Sequence, residues 1–180
     1  IYGSKGMGGL YVRKNTPLYP VISGGGQEFG LRSGTENIAN IVGLAKAVEL
    51  TYKNREIRSK NILNLRNKLL KSIIRYDSNV KVNGSLNKRL ANNLNIRFSG
   101  ISNEMLIVAL DQAGVAISAG SACSSRAMIA SHVLKAIGLT EKQAKESIRI
   151  TLGKNTTDRE IKNAARIIKK TIGQLINKKP

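Results

Sequence analysis

Two short stretches, NNLNIRFSG (92–100) and SIRITLG (147–153), alternate apolar and polar residues, and they constrain the fold more than anything else in the chain. In the first, Leu94, Ile96 and Phe98 fall on one side and Asn95 and Arg97 on the other; in the second, Ile148, Ile150 and Leu152 oppose Arg149 and Thr151. A period of two marks strands that are buried on one face only. Such a sheet needs helices over its apolar face, and the intervening sequence supplies them. NEMLIVALDQAG (103–114) reads as a helix closed by Gly114, and SHVLKAIG (131–138) as a short helix. Thr157 with Glu160 reads as a capping box opening a last helix from Asp158 to about Asn177. With VAIS (115–118) as a short strand, the second half becomes a small α+β domain.

The first half is patterned differently. In IYGSKGMGGLYVRK (1–14), glycines lead into Leu10, Tyr11 and Val12 as a turn followed by a strand. SGGGQEFGLRSGTEN (23–37) has five glycines between 24 and 34, a loop that lets backbone approach a ligand closely. Thr35 stands where a helix should begin, since Ile38, Ile41, Val42 and Ala45 follow at helical spacing. That pattern runs with little interruption to about Tyr76, long enough to connect two domains.

A chain of 180 residues with 41% hydrophobic and 23% charged residues has a globular composition. No apolar run reaches the length of a membrane span, and no secretory pattern opens the sequence. One cysteine cannot make a disulfide framework, which fits a reducing compartment, and one histidine and one cysteine do not make a structural zinc site. The 30 Lys+Arg against 11 Asp+Glu give a formal charge of +19, a balance that suits polyanionic partners. The cations are dispersed, however: eight between Lys53 and Arg75 alternate with Ile62, Leu65, Leu69 and Ile73, as on the solvated face of an amphipathic helix. Aromatic residues are only 4%, too few for stacking platforms, so nucleic acid is not the expected partner.

Three features could carry chemistry. Cys123 lies in SAGSACSSRA (118–127), among turn formers, where a thiol is exposed and Arg126 could favour its thiolate; the alternative is a small buried hydrophobe. The glycine-rich loop with Thr35 could hold a phosphate at a helix start, or be only a turn. Arg149 points away from the buried face of its strand, as a guanidinium ready for a carboxylate or as an ordinary surface arginine. His132, beside Val133 and Leu134, reads as structural.

Taken in order, IYGSKG, GGGQEFGLRSGTEN, SAGSACSS, SHVLKAIGL and SIRITLG closely resemble the cysteine desulfurases, the NifS-like class V branch of the pyridoxal-phosphate-dependent transferases. The interval between Cys123 and SHVL resembles the branch that delivers sulfur to scaffold proteins for iron–sulfur cluster assembly. The resemblance implies the C-terminal part of a fold-type I transferase, α/β plus α+β. Residues 1–55 would be the end of the large cofactor-binding domain and the start of the connecting helix, and residues 56–180 the small domain with the cysteine loop. It also implies that pyridoxal phosphate activates L-cysteine, that Cys123 takes its sulfur as a persulfide, and that L-alanine is released. Arg149 would clamp the substrate carboxylate, and Thr35 would reach the cofactor phosphate of the partner subunit in a homodimer. The acceptor would be an iron–sulfur scaffold or a tRNA-thiolation protein, in the cytoplasm or an organelle matrix. The resemblance places the cofactor's lysine immediately before Ile1, so this chain alone is expected to be inactive. Ser4 stands where the family usually has proline, and RAMIASHV lacks the acidic–proline pair common before SHV. A non-catalytic sulfur-transfer or scaffold-binding module is the alternative.

Overall fold

The computed structural model describes residues 1–119 and 131–177. They fall into two compact units, 1–55 and 56–180. The first unit is mostly irregular. The strand expected at Leu10–Val12 does not form: Leu10 and Tyr11 are exposed, and no described segment of this unit forms a strand beside them. A strand satisfies its backbone only by pairing, so a strand-like segment without a partner forms none. In the glycine-rich loop, a single 3₁₀ turn spans Glu28–Gly30. Ser33 is buried and its N–H donates to the Ile22 carbonyl at 3.2 Å, closing the loop. Gly24, at φ +154°, lies against it; a Cβ there would meet Ser33 Cβ at 3.1 Å.

Helix α1 spans Ile38–Lys53, capped by Asn37, whose Oδ1 accepts the Asn40 N–H at 3.3 Å. The helix therefore starts after Thr35, because the asparagine side chain is the one that takes a free N–H. The long helical pattern is also interrupted. Asn54 leaves helical geometry (φ −107°, ψ 8°) and its Nδ2 donates back to the Leu50 carbonyl at 3.0 Å. A side-chain amide competing for backbone in this way ends a helix.

In the second unit, α2 (Arg55–Tyr76) packs Leu69, Leu70 and Ile73 into the core. A three-stranded antiparallel sheet follows, in the order β1 (Lys81–Val82), β2 (Asn93–Arg97), β3 (Ser147–Thr151). Leu94 is opposite Ile150 and Ile96 opposite Ile148, so the two alternating stretches turn the same face inward. That face meets α2, α3 (Asn103–Gln112, capped by Ser102) and α6 (Asp158–Asn177) in one apolar cluster. Leu94, Ile96, Ile148, Leu106, Ile168 and Ile172 are fully buried, each stabilising the fold by about 1.5–3 kcal/mol. Gly114, at φ +82°, ends α3 as expected. Two short helices, α4 (His132–Ala136) and α5 (Glu141–Lys145), precede β3. VAIS does not make a strand; it touches the sheet through a single bridge at Ser118. The cationic face of α2 has one exception, Arg66, which is only 3% exposed.

Candidate active site

The sheet has one face in the core and one polar face, and the polar face is where chemistry could occur. Arg149 sits on it near the centre of β3, half-buried. Its backbone is locked to Ser118: Ser118 N–H donates to the Arg149 carbonyl at 3.0 Å, and Arg149 N–H donates to the Ser118 carbonyl at 2.6 Å. The guanidinium Nη2 donates to Ser118 Oγ at 3.3 Å. Among the described residues the ion pairs are Lys46–Glu49, Lys68–Asp158, Glu141–Lys145 and Asp158–Lys162, so no carboxylate neutralises Arg149 there. A half-buried guanidinium fork held in place and lacking an acidic partner is suited to a carboxylate ligand.

The same face carries residues that the sequence reading did not single out. Asn95 lies directly opposite Arg149. Its Oδ1 accepts from Asn83 Nδ2 at 2.6 Å, and Asn83 Nδ2 also donates to Ser147 Oγ at 2.9 Å. Ser147 Oγ donates in turn to the Gln143 carbonyl at 2.7 Å. Asn83 and Ser147 are buried. The alternation around Asn95 was visible in the sequence; the pairing that places it against Arg149 is long-range and was not.

Thr35 is exposed, two residues before the cap of the 16-residue α1. The cap itself is Asn37, so the helix start expected at Thr35 falls at Ile38. Thr35 and Arg149 belong to different units. Cys123 and Arg126 lie outside the described residues. His132 is exposed in the first turn of α4, which corrects its structural reading: Leu134, and not the histidine, faces inward there. Among the described residues no three His, Cys, Asp or Glu side chains gather as a metal site requires.

A second arginine pair is structural in character. Arg66 Nη1 and Arg89 Nη1 are buried without a hydrogen-bond partner among the described residues. Desolvation, and then the charge of Arg66, hold the Arg89 guanidinium below its ordinary value. Arg89 is tied down by bonds from Nε to the Ser85 carbonyl at 2.6 Å and from Nη2 to the Asn83 carbonyl.

The fold as a whole recurs in solved structures. A NifS-like protein superimposes with a TM-score of 0.80 at 33% identity, covering 92% of this chain and 42% of that one. A NifS-like protein from Rickettsia africae gives 0.75 at 31% identity, covering 87% and 41%. The fold is thus part of a fold-type I architecture. The chain belongs to the aminotransferase class-V family, which it matches over residues 1–164. Among curated relatives, it is 41% identical over 180 residues to a cysteine desulfurase (IscS 1) of Archaeoglobus fulgidus, covering all of this chain and 47% of that protein. A cysteine desulfurase (IscS) of Clostridium botulinum is 42% identical over 175 residues, covering 96% and 44%. The chain spans about half the length of the curated relatives it matches.

Proposed function

We propose that this chain carries the thiol and the carboxylate clamp of a pyridoxal-phosphate-dependent cysteine desulfurase. L-cysteine is the substrate, L-alanine the product, and sulfur leaves on Cys123. The observation that carries this reading is the bridge between Arg149 and Ser118, since Ser118 lies five residues before the chain's sole cysteine. Five residues of extended chain span at most about 18 Å. The sequence thus ties the thiol closely to the residue that holds Arg149.

In the reaction, the Cys123 thiolate attacks the sulfur of the substrate and an S–S bond forms. The C–S bond breaks, its electron pair stays with the β-carbon, and that carbon takes a proton to become the methyl group of alanine. Cys123 keeps the sulfur as a persulfide. Pyridoxal phosphate, when bound, supplies the electron withdrawal that weakens the C–S bond. Thr35 would hold the cofactor phosphate of the partner subunit in a homodimer. Residues 1–55 then serve as part of the cofactor domain, and residues 56–180 as the small domain that binds substrate and moves sulfur. The acceptor is an iron–sulfur scaffold or another sulfur-accepting protein, in the cytoplasm or an organelle matrix. No helix among the described residues is long and apolar enough to cross a membrane.

Two variants of the complete, cofactor-loaded enzyme separate the roles. Cys123→Ser should keep the cofactor and its spectral response to L-cysteine but lose turnover, because a serine hydroxyl is neither ionised at neutral pH nor able to carry sulfur. Arg149→Ala should lose about 2–4 kcal/mol of substrate binding, a roughly 30- to 1000-fold rise in KM. Turnover surviving in Cys123→Ser, or an unchanged KM in Arg149→Ala, would refute the assignment.

A further inference from the structure

We propose that Asn95 is a second ligand of the carboxylate held at Arg149, and that Asn83 and Ser118 are positioning residues fixing the orientation of the two donors. The inference rests on the reading of Arg149 as a carboxylate clamp and adds to it a second donor.

Register comes first. Arg149 directs both its N–H and its carbonyl to Ser118, and Asn95 directs its carbonyl to the Asn83 N–H at 3.0 Å. Neither strand uses these backbone groups toward the other, so Asn95 and Arg149 form a non-hydrogen-bonded pair. In such pairs the Cα atoms approach to about 4.5 Å and the side chains stand closest together. Amide and guanidinium thus rise side by side from the polar face.

The orientation of the amide comes next. Asn83, buried and hydrogen-bonded at its own backbone, donates through Nδ2 to Asn95 Oδ1. Because an amide group has its acceptor and donor on opposite branches, engaging Oδ1 with Asn83 commits Nδ2 to the other side. Among the described residues Asn95 Nδ2 has no hydrogen-bond partner and is not buried. It is a free, oriented N–H donor beside a cation. Asn83 is itself fixed, since it also donates to Ser147 Oγ, whose proton goes to the Gln143 carbonyl. A polar chain of this length on the face away from the core contributes nothing to apolar packing. It sets the direction of one amide.

The guanidinium is oriented from the other side, where Ser118 Oγ accepts from Nη2. The N–H groups of the Arg149 fork and Asn95 Nδ2 can only donate, which suits an acceptor-only ligand such as a carboxylate. The ligand class is a small α-amino acid whose carboxylate meets the Arg149 fork with one oxygen shared by Asn95 Nδ2. A neutral carboxamide would place N–H groups against these donors and be refused.

The test uses the 180-residue chain itself, titrated with L-alanine and, as control, L-alaninamide, while side-chain amide and guanidinium NMR signals are followed. L-alanine should shift the Asn95 and Arg149 signals along one binding curve, and L-alaninamide should shift neither. Asn95→Ala should weaken L-alanine binding roughly 10- to 150-fold, the loss of one hydrogen bond to a charged group, and Asn95→Asp, which sets a carboxylate against Arg149, should abolish it. Asn83→Ala and Ser118→Ala should weaken binding and let the Asn95 amide or the Arg149 guanidinium, respectively, rotate faster, while Ser118→Thr, which keeps the hydroxyl, restores slow rotation. Arg149 responding while Asn95 does not, with Asn95→Ala binding as wild type, would overturn the inference and leave the clamp. An Arg149 signal indifferent to L-alanine would overturn the clamp and the inference together.

Discussion

Arg66 shows what single residues in this chain are made to tolerate. It is 3% exposed on α2, and its Nη1 lacks a hydrogen-bond partner among the described residues. Its Nε and Nη2 both donate to Asn67 Oδ1, at 3.2 and 2.8 Å. A buried cation that is only partly hydrogen-bonded gives up hydration without full return, so an apolar side chain of similar length can do as well. Arg66→Met should leave stability unchanged or raise it by about 1 kcal/mol in urea unfolding; a loss above about 2 kcal/mol would show that the guanidinium holds the fold together. At the same scale, Arg149 was legible in the sequence because alternation alone puts it on the polar face. Asn95 was not, since nothing local says which residue of β3 will stand opposite it. Ser118 was read as part of a strand, and its actual contribution is a single bridge that only the fold creates.

Among the elements, the start of α6 was written most plainly. Thr157 Oγ1 accepts the Glu160 N–H at 3.2 Å, and Glu160 Oε2 accepts the Thr157 N–H at 2.7 Å, the reciprocal box that the spacing predicts. Thr157→Ala should cost about 1 kcal/mol in urea unfolding. Backbone and side-chain hydrogen bonds from Thr157 hold the Glu160 carboxyl below its ordinary value, and bonds from Lys68 and Lys162 do the same for Asp158. A depressed folded-state value means that these carboxylates stabilise α6 at pH above the ordinary carboxylate range and lose that contribution as pH falls through the depressed value. Acid titration followed by amide exchange should therefore fray the first turn of α6 early, and Glu160→Gln should flatten that response; an N-terminal turn indifferent to acid would contradict it. The box that opens α5, Thr140 with Gln143, has the same form but stands before only five residues, too short to show helical periodicity. β1 is two residues long and gave no alternation to read. The break at Asn54 was hidden because apolar spacing continues across it.

Across the whole molecule, apolar burial is unevenly divided. Every buried hydrophobic residue among those described lies beyond position 68, and in residues 1–55 only Ser33 is buried. Val21 and Phe29 are almost wholly exposed. Local protection follows buried contacts, so hydrogen exchange should be fast throughout residues 1–55 and slow in β2, β3, α3 and α6. Equal protection in the two units would contradict this distribution. The apolar spacing of α1 was legible, but spacing reports which face is apolar and not what covers it; Ile38 and Val42 remain exposed. The central claim is that Arg149 clamps the substrate carboxylate while Cys123, which follows Ser118 in sequence, takes the sulfur. It is tested most directly by a single turnover of the complete, cofactor-loaded enzyme with L-cysteine carrying isotopically labelled sulfur, followed by mass spectrometry of its peptides. The account predicts one labelled sulfur atom on the peptide containing Cys123, in step with the alanine formed; alanine formation with no label on that peptide would contradict it.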